Sequence, residues 1–303
     1  MAKPAKQLFL VSLRERVGDL RSLPKSQSLL ESNDGHLRLY LRYSKLHSSR
    51  RTFYGLRRED LQQLQGHRSY ICFIWDEQRE PLIIPYEKYE DLFQSLTPAS
   101  DGQYKVQIIL RPDGTDLYVA GGGRFDVESY IGWDELQRAA RSTREVIPEL
   151  THSQVQSLLG AIGHSKGFQI WIPQNDRSSL DWNQVSRFKM VNSLPPAYNA
   201  VCEIAEQVDV LWLAKGGGQI RALFEVEHST TIYSGLLRFN DIHLATPSSQ
   251  THFNIVAEDV RRGQFSRQLN RPTFRASGLS DACGFLDYAE VYGWHKRMAL
   301  RAS

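Results

Sequence analysis

Cysteine is scarce in this chain of 303 residues, which has only Cys72, Cys202 and Cys283. An odd number at wide spacing, flanked by apolar or small residues, excludes a disulfide framework and a zinc knuckle, and argues for reduced core thiols in a cytoplasmic protein. Long apolar runs are missing too. No stretch reaches the roughly 18 residues of a membrane-spanning helix, and the N-terminal LFLVSL is too short and too quickly followed by charge for a secretory signal, so no membrane association is expected. Neither sign of charge is in excess: 37 Lys and Arg against 34 Asp and Glu leave +3. A nucleic-acid footprint must therefore be local. Low-complexity tracts are absent, and the isolated His36, His47 and His67 keep no metal-ligand spacing, so surface or structural roles are expected for them.

What is present reads as a globular chain, 41% hydrophobic and long enough for two domains. Residues 1–132 read as an α+β module rich in antiparallel pairs, 133–150 as a charged linker ending near Pro148, and 151–303 as a second domain. Within the first, HLRLYLRY alternates Leu37, Leu39, Leu41 and Tyr43 against His36, Arg38, Tyr40 and Arg42, which predicts a half-buried strand with a basic and aromatic outer face. The basic run continues through Arg50, Arg51, Arg57 and Arg58, interleaved with Phe53 and Tyr54. Such a surface suits phosphates and bases, and these arginines are the candidate DNA contacts.

The second domain opens with a helix over 151–165 capped by Thr151, then the strand FQIWIP. The stretch from Gln207 to Asp241 organises the rest of this domain. VDVLWLA is a strand apolar on both faces except for Asp209, and a buried carboxylate needs a cation, an arginine or backbone donors. After the turn at KGGG, the next strand places Leu223, Glu225 and Glu227 on one face and Phe224, Val226 and His228 on the other. A helix follows with Ile232, Leu236, Phe239 and His243 as its buried stripe. Three carboxylates near a helix N-terminus form a corner fit for a hard divalent cation and a phosphate oxygen. His228 is expected to be packed or hydrogen-bonded in the core, and Asp176 to serve a turn. FLDYAEVYGW reads as a final strand and HKRMALRAS as a frayed basic tail.

The order helix, strand, strand with Asp, strand with Glu-x-Glu, helix, strand resembles the PD-(D/E)xK nuclease superfamily, the core of many restriction endonucleases, over roughly residues 149–290. Asp209 matches the first acid, Glu225 the second, and Val226 the variable place; Glu227 stands where the family usually has Lys. The resemblance implies an α/β fold: a restriction-endonuclease-like mixed sheet flanked by helices, behind the N-terminal α+β module. It implies that Asp209, Glu225 and the Val226 carbonyl hold Mg²⁺, with Mn²⁺ as substitute, and that Glu227 takes the part of the lysine, making Asp209, Glu225 and Glu227 the catalytic set. Arg238, on the helix after the motif, is the candidate for a phosphate oxygen. Glu149 or Gln154, at the start of the first helix, is where related nucleases sometimes add a ligand.

The expected function is a Mg²⁺-dependent, restriction-type endonuclease acting on double-stranded DNA at specific or modified sites, as a homodimer. Two alternatives stand beside it: a structure-specific repair nuclease, and a non-catalytic nucleic-acid-binding or defence-complex protein whose core is inactivated by Glu227.

Overall fold

The computed structural model describes all residues except 1–3, 24–25, 34, 36, 142–146, 217, 229–230, 247–250 and 303. His36, expected on the outer face of a strand, lies outside the described residues. The chain divides into two compact units, Met1–Arg144 and Glu145–Ser303.

In the first unit the order is α1 (Pro4–Val17), β1 (Leu20–Ser22), β2 (Leu29–Ser32), β3 (Arg38–Ser44), β4 (Arg51–Arg57) and α2 (Arg58–Gln62). Then come β5 (Ser69–Trp75), β6 (Leu82–Pro85), α3 (Glu90–Ser95), β7 (Gln103–Arg111), β8 (Gly114–Val119), β9 (Gly123–Asp126) and α4 (Asp134–Arg141). They build a sheet ordered β1-β2-β3-β5-β6 and an antiparallel sheet ordered β4-β7-β8-β9. Tyr40 and Phe73 of the first sheet pack against Tyr54, Leu56, Val106, Ile108 and Leu117 of the second. On its other face the first sheet packs Leu39, Leu41, Cys72 and Ile83 on Phe9 and Leu13 of α1 and Leu136 and Ala139 of α4. The layers are therefore helices, sheet, sheet.

Two expectations change here. Residues 134–141, inside the segment expected as a linker, form α4, whose Leu136 and Ala139 are buried while Asp134, Arg138 and Arg141 are exposed. More consequentially, the face of β3 expected to meet solvent is covered by the second sheet. Period-2 alternation marks two different faces but cannot tell water from a second layer whose polar groups are paired. Arg38 is only 6% exposed, and its Nε donates to Glu31 Oε1 at 2.9 Å while its Nη1 donates to the Gln63 carbonyl. Arg42 is half-buried, its guanidinium 5.5 Å from the Tyr40 ring.

The second unit runs α5 (His152–Ser165), β10 (Gln169–Trp171), α6 (Cys202–Ala205), β11 (Val210–Leu213), β12 (Ile220–Glu227), α7 (Ile232–Ala245) and β13 (His252–Ala257). It continues with α8 (Arg262–Leu269), α9 (Pro272–Ser277), α10 (Leu279–Ala282), β14 (Cys283–Asp287) and α11 (Tyr288–Ala302). The sheet order is β10-β11-β12-β13-β14, antiparallel up to β12 and parallel beyond it. This is the mixed sheet that the Asp and Glu-x-Glu pattern implied. Val210, Trp212, Phe224 and Val226 pack with α5 and with Val291 and Trp294 of α11. Leu211, Leu213 and Leu223 pack on the opposite face with Ile232, Leu236 and Phe239 of α7.

Local sequence explains the placement of α5. Thr151 Oγ1 accepts from the Gln154 N–H while the Gln154 side chain accepts from the Thr151 N–H, a reciprocal cap that fixes where the helix begins. Gly163 then lets the helix close on the sheet, since a Cβ there would lie 2.4 Å from Trp212 Nε1. The C-terminus departs from expectation. The strand stops at Asp287, and Tyr288, Val291 and Trp294 form a helical stripe buried in the core. The aromatic and β-branched residues of 288–294 make that stripe look like a strand in sequence.

Candidate active site

Every acid of the motif is positioned by the sheet. Asp209 immediately precedes β11, which pairs with β12 so that Val210 faces Phe224. The Val226 N–H donates to Asp209 Oδ2 at 2.6 Å, tying the carboxylate to the backbone of the Glu-x-Glu segment. Glu225 and Glu227, on the α7 face with Leu223, are 1% and 2% exposed. They are not a solvated row: α7 lies over them, and it can do so because Gly235 has no side chain. A Cβ at Gly235 would meet Glu227 Oε1 at 2.7 Å and Glu225 Cβ at 3.3 Å.

Arg238, one turn further along α7, donates from Nε to Glu225 Oε1 and from Nη2 to Glu225 Oε2, each at 2.7 Å. Such a fork-to-fork pair is the strongest ion-pair geometry side chains offer. It raises the arginine further above its usual value. Glu225 moves the other way from what its partner alone would dictate. Burial outweighs the arginine, Asp209 and Glu227 add negative charge, and the carboxyl is pushed up to about 8. For the arginine the hydrogen bond to Glu225 outweighs a smaller burial effect and the acidic neighbours help, whereas for the far more deeply buried glutamate desolvation dominates and the acidic neighbours add to it.

Two groups that sequence reasoning missed complete the cluster. His152, the first residue of α5, brings Nε2 to 3.3 Å from Asp209 Oδ1. That hydrogen bond raises the imidazole above its usual value, against the effect of burial, and Asp176 and Glu225 contribute in the same direction. Gln156, 1% exposed, donates from Nε2 to Asp176 Oδ2 at 3.0 Å and to the Asp209 carbonyl at 3.4 Å. Asp176 thus belongs to the network and gives no side-chain cap to the turn it precedes. The available signal was spacing: His152 and Gln156 are four apart and share one face of α5.

The remaining candidates divide. Gln154 is spent on the helix cap and on Asp181 Oδ2, and Glu149 is exposed. His228 is exposed rather than packed in the core, with Nδ1 3.4 Å from the Tyr288 hydroxyl and its ring parallel to that ring. Arg261 donates to the carbonyls of Glu227 and His228, holding the end of β12. Of the arginines expected on DNA, Arg38 is committed to Glu31, Arg58 donates to the Tyr104 hydroxyl, and Arg50, Arg51 and Arg57 are exposed.

The donor set suits a hard divalent cation: Asp209, Glu225 and Glu227 offer carboxylate oxygens, and Asp209 and Glu227 both lie close enough to Glu225 to disfavour its charged form, adding to the larger effect of its burial. In the present side-chain arrangement no group of three or more His, Cys, Asp or Glu among the described residues converges on one point. Arg238 stands against both oxygens of Glu225. It does so where a cation would draw on the same atoms.

A mixed sheet with an acid before one central strand and two acids on the next, flanked by helices on both faces, defines a restriction-endonuclease-like nuclease core. Residues 135–301, more than half of the chain, match the family model described as the C-terminal domain of the type II restriction enzyme NmeDI, and the chain belongs to that family. Type II restriction enzyme NmeDI of Neisseria meningitidis serogroup C is 33% identical over 136 residues, which cover 41% of this chain and 37% of that protein. The match therefore spans well under half the length of this relative. No solved structure matches. Among the described residues no helix is long and apolar enough to cross a membrane.

Proposed function

We propose that this chain is a Mg²⁺-dependent endonuclease of restriction type that hydrolyses phosphodiester bonds of duplex DNA at specific or modified sites. The observation that carries the reading is that the half-buried Asp209 accepts from the Val226 N–H within electrostatic reach of the buried Glu225, the spacing of acids that the superfamily pattern calls for. Asp209, Glu225 and the Val226 carbonyl would hold the cation, Mg²⁺ or its substitute Mn²⁺. When bound, such an ion polarises the scissile phosphate and lowers the pKa of a water poised for in-line attack.

The chain's own groups supply the rest. Glu227, held beneath α7, takes the proton of the attacking water or orients it, the part a lysine takes elsewhere. Arg238 spends two of its five N–H donors on Glu225, and those left reach for a phosphate oxygen. His152 and Gln156 hold Asp209 from the opposite side. The first unit supplies recognition, and two copies of the chain bring two active sites to the two strands.

One specific observation favours a second reading, DNA binding without cleavage: the Arg238 fork already occupies both oxygens of Glu225. Incubation of unmethylated and methylated phage DNA with Mg²⁺ separates the two. Discrete fragments with wild type, absent with Asp209→Ala, support the endonuclease; intact DNA in every lane rejects it in favour of the binding protein.

A further inference from the structure

The five-stranded sheet of the first unit is covered on one side by α1 and α4 and on the other by the second sheet. Among the described residues of this unit, no further layer packs on the outer face of β4-β7-β8-β9. On that face β4 presents Arg51, Phe53 and Arg57, all exposed, alternating with buried Thr52, Tyr54 and Leu56. Phe53 is 50% exposed, the only aromatic ring so open among the described residues. His47, from the turn before β4, meets it edge-on at 5.1 Å, and Arg50 in the same turn is held in the left-handed region at φ 56°.

Charge on this face is uneven. On β7 and β9 the cations are matched: Lys105 pairs with Asp101, Arg124 with Asp116, and Arg111 with Asp116 and Asp126. Along β4, the side chains of Arg50, Arg51 and Arg57 have no ion-pair partner among the described residues. Their positive charge flanks an exposed aromatic ring whose cross-strand partner is Gln107, which suits a polyanion with flat bases better than an apolar protein surface. Pairing of another strand along β4 is blocked, because Ser44 Oγ accepts from the Phe53 N–H and the Tyr40 hydroxyl from the Arg57 N–H. The face, not the edge, is open.

We propose that the outer face of β4, with Phe53 between Arg51 and Arg57, is the DNA-docking surface of the first unit, taking an unstacked base on the Phe53 ring and phosphates on the arginines. This rests on the reading of the chain as a DNA endonuclease and names the surface by which it reads its substrate. Residues two apart on a strand lie about 7 Å apart and residues six apart about 20 Å. Arg51 therefore grips beside the base on Phe53, and Arg57 reaches further along the strand. Of the basic residues expected on DNA, those of β3 are enclosed between the two sheets, and those of β4, in the second sheet, are the exposed ones.

The full chain is titrated in EDTA with a fully paired duplex and with the same duplex carrying one unpaired base, across a salt series. Arg51→Ala/Arg57→Ala is expected to weaken binding to both and to make the slope of log K against log salt shallower by about 2. Phe53→Ala is expected to weaken the duplex with the unpaired base roughly 5- to 100-fold more than the paired one, and Phe53→Trp to restore it. Since all three side chains are exposed, unchanged melting curves confirm intact folds. Wild-type affinity and salt slope in both sets of variants overturn the surface. Weakening by the arginine changes with no response to Phe53→Ala overturns the base platform. A wild-type chain that binds neither duplex sinks the endonuclease reading itself, which is a separate outcome.

Discussion

Gly235 and Glu227 touch across the interface between α7 and β12 so closely that a methyl group on the glycine would lie 2.7 Å from a carboxylate oxygen. Gly235→Ala is therefore expected to displace Glu227 more than to unfold the helix, since alanine is the better helix former by up to about 1 kcal/mol. Cleavage should fall at least tenfold while the melting temperature moves by a few degrees. A large melting shift with full residual activity in the folded fraction would count against Glu227 as a working group.

Restoring the lysine of the wider superfamily should not help this chain. Glu227→Lys puts a longer side chain into a site 2% exposed beneath α7, and overpacking of that kind costs about 1–3 kcal/mol. Denaturant unfolding is expected to show this loss with no gain in cleavage. Faster cleavage by the lysine variant would show that Glu227 is an impairment and not a substitute.

His152 touches the proposed site only through Asp209. Its replacement by alanine removes one partner of Oδ1 and leaves the Val226 N–H on Oδ2. The Mg²⁺ concentration for half-maximal cleavage is expected to rise about 10- to 100-fold, as for other groups that orient a ligand, with a smaller change in the rate at saturation. On the proposed reading, Mg²⁺ raises the melting temperature of the wild type, and Asp209→Asn should remove that rise and abolish cleavage at any Mg²⁺ concentration.

The Glu31–Arg38 pair predicts a pH dependence unrelated to cleavage. Burial alone would raise the Glu31 carboxyl, but the Arg38 charge and hydrogen bonds from Arg21 and Arg38 outweigh it and hold the group below its usual 4.5. A depressed acid contributes stability above its unfolded pKa and loses it as pH falls through the folded value. The melting-temperature gap between wild type and Glu31→Gln should thus be full well above the ordinary 4.5 and narrow progressively as pH falls below it. Arg38→Ala, which strips a buried partner, is expected to cost about 3 kcal/mol at neutral pH. A gap independent of pH would show that the pair contributes through packing alone.

These residues also show how far the amino-acid sequence discloses the fold and the site. The alternation of β12, the apolar run of β11 and the Thr151 cap are local, and each defines its element through neighbouring residues alone. The burial of Glu225 and Glu227 is not local, because it depends on Gly235 and on a helix that alternation within the strand cannot sense. The same limit hides Arg38: a charged residue in strand register looks solvent-facing until its partner, seven residues earlier in β2, is placed beside it. His152 carries no motif at all. It becomes visible only when α5 and the Asp209 end of β11 come together. In α11 the reverse occurs, a helical stripe of Tyr288, Val291 and Trp294 that reads as strand because aromatic and β-branched residues dominate it.

β12 is also the strand at which the sheet changes polarity, with an antiparallel neighbour on one side and a parallel one on the other. Its phase is therefore locked twice, by two hydrogen-bond ladders of different pitch. Lengthening or shortening the chain by a single residue between 220 and 225 would invert that phase, turning Glu225 into the oily layer beside Trp212 and a hydrocarbon side chain towards Arg238. Point substitutions around this strand can be absorbed one at a time, but its length cannot drift. The tolerated place for insertions is the exposed turn between β11 and β12, where the chain can grow without moving either carboxylate.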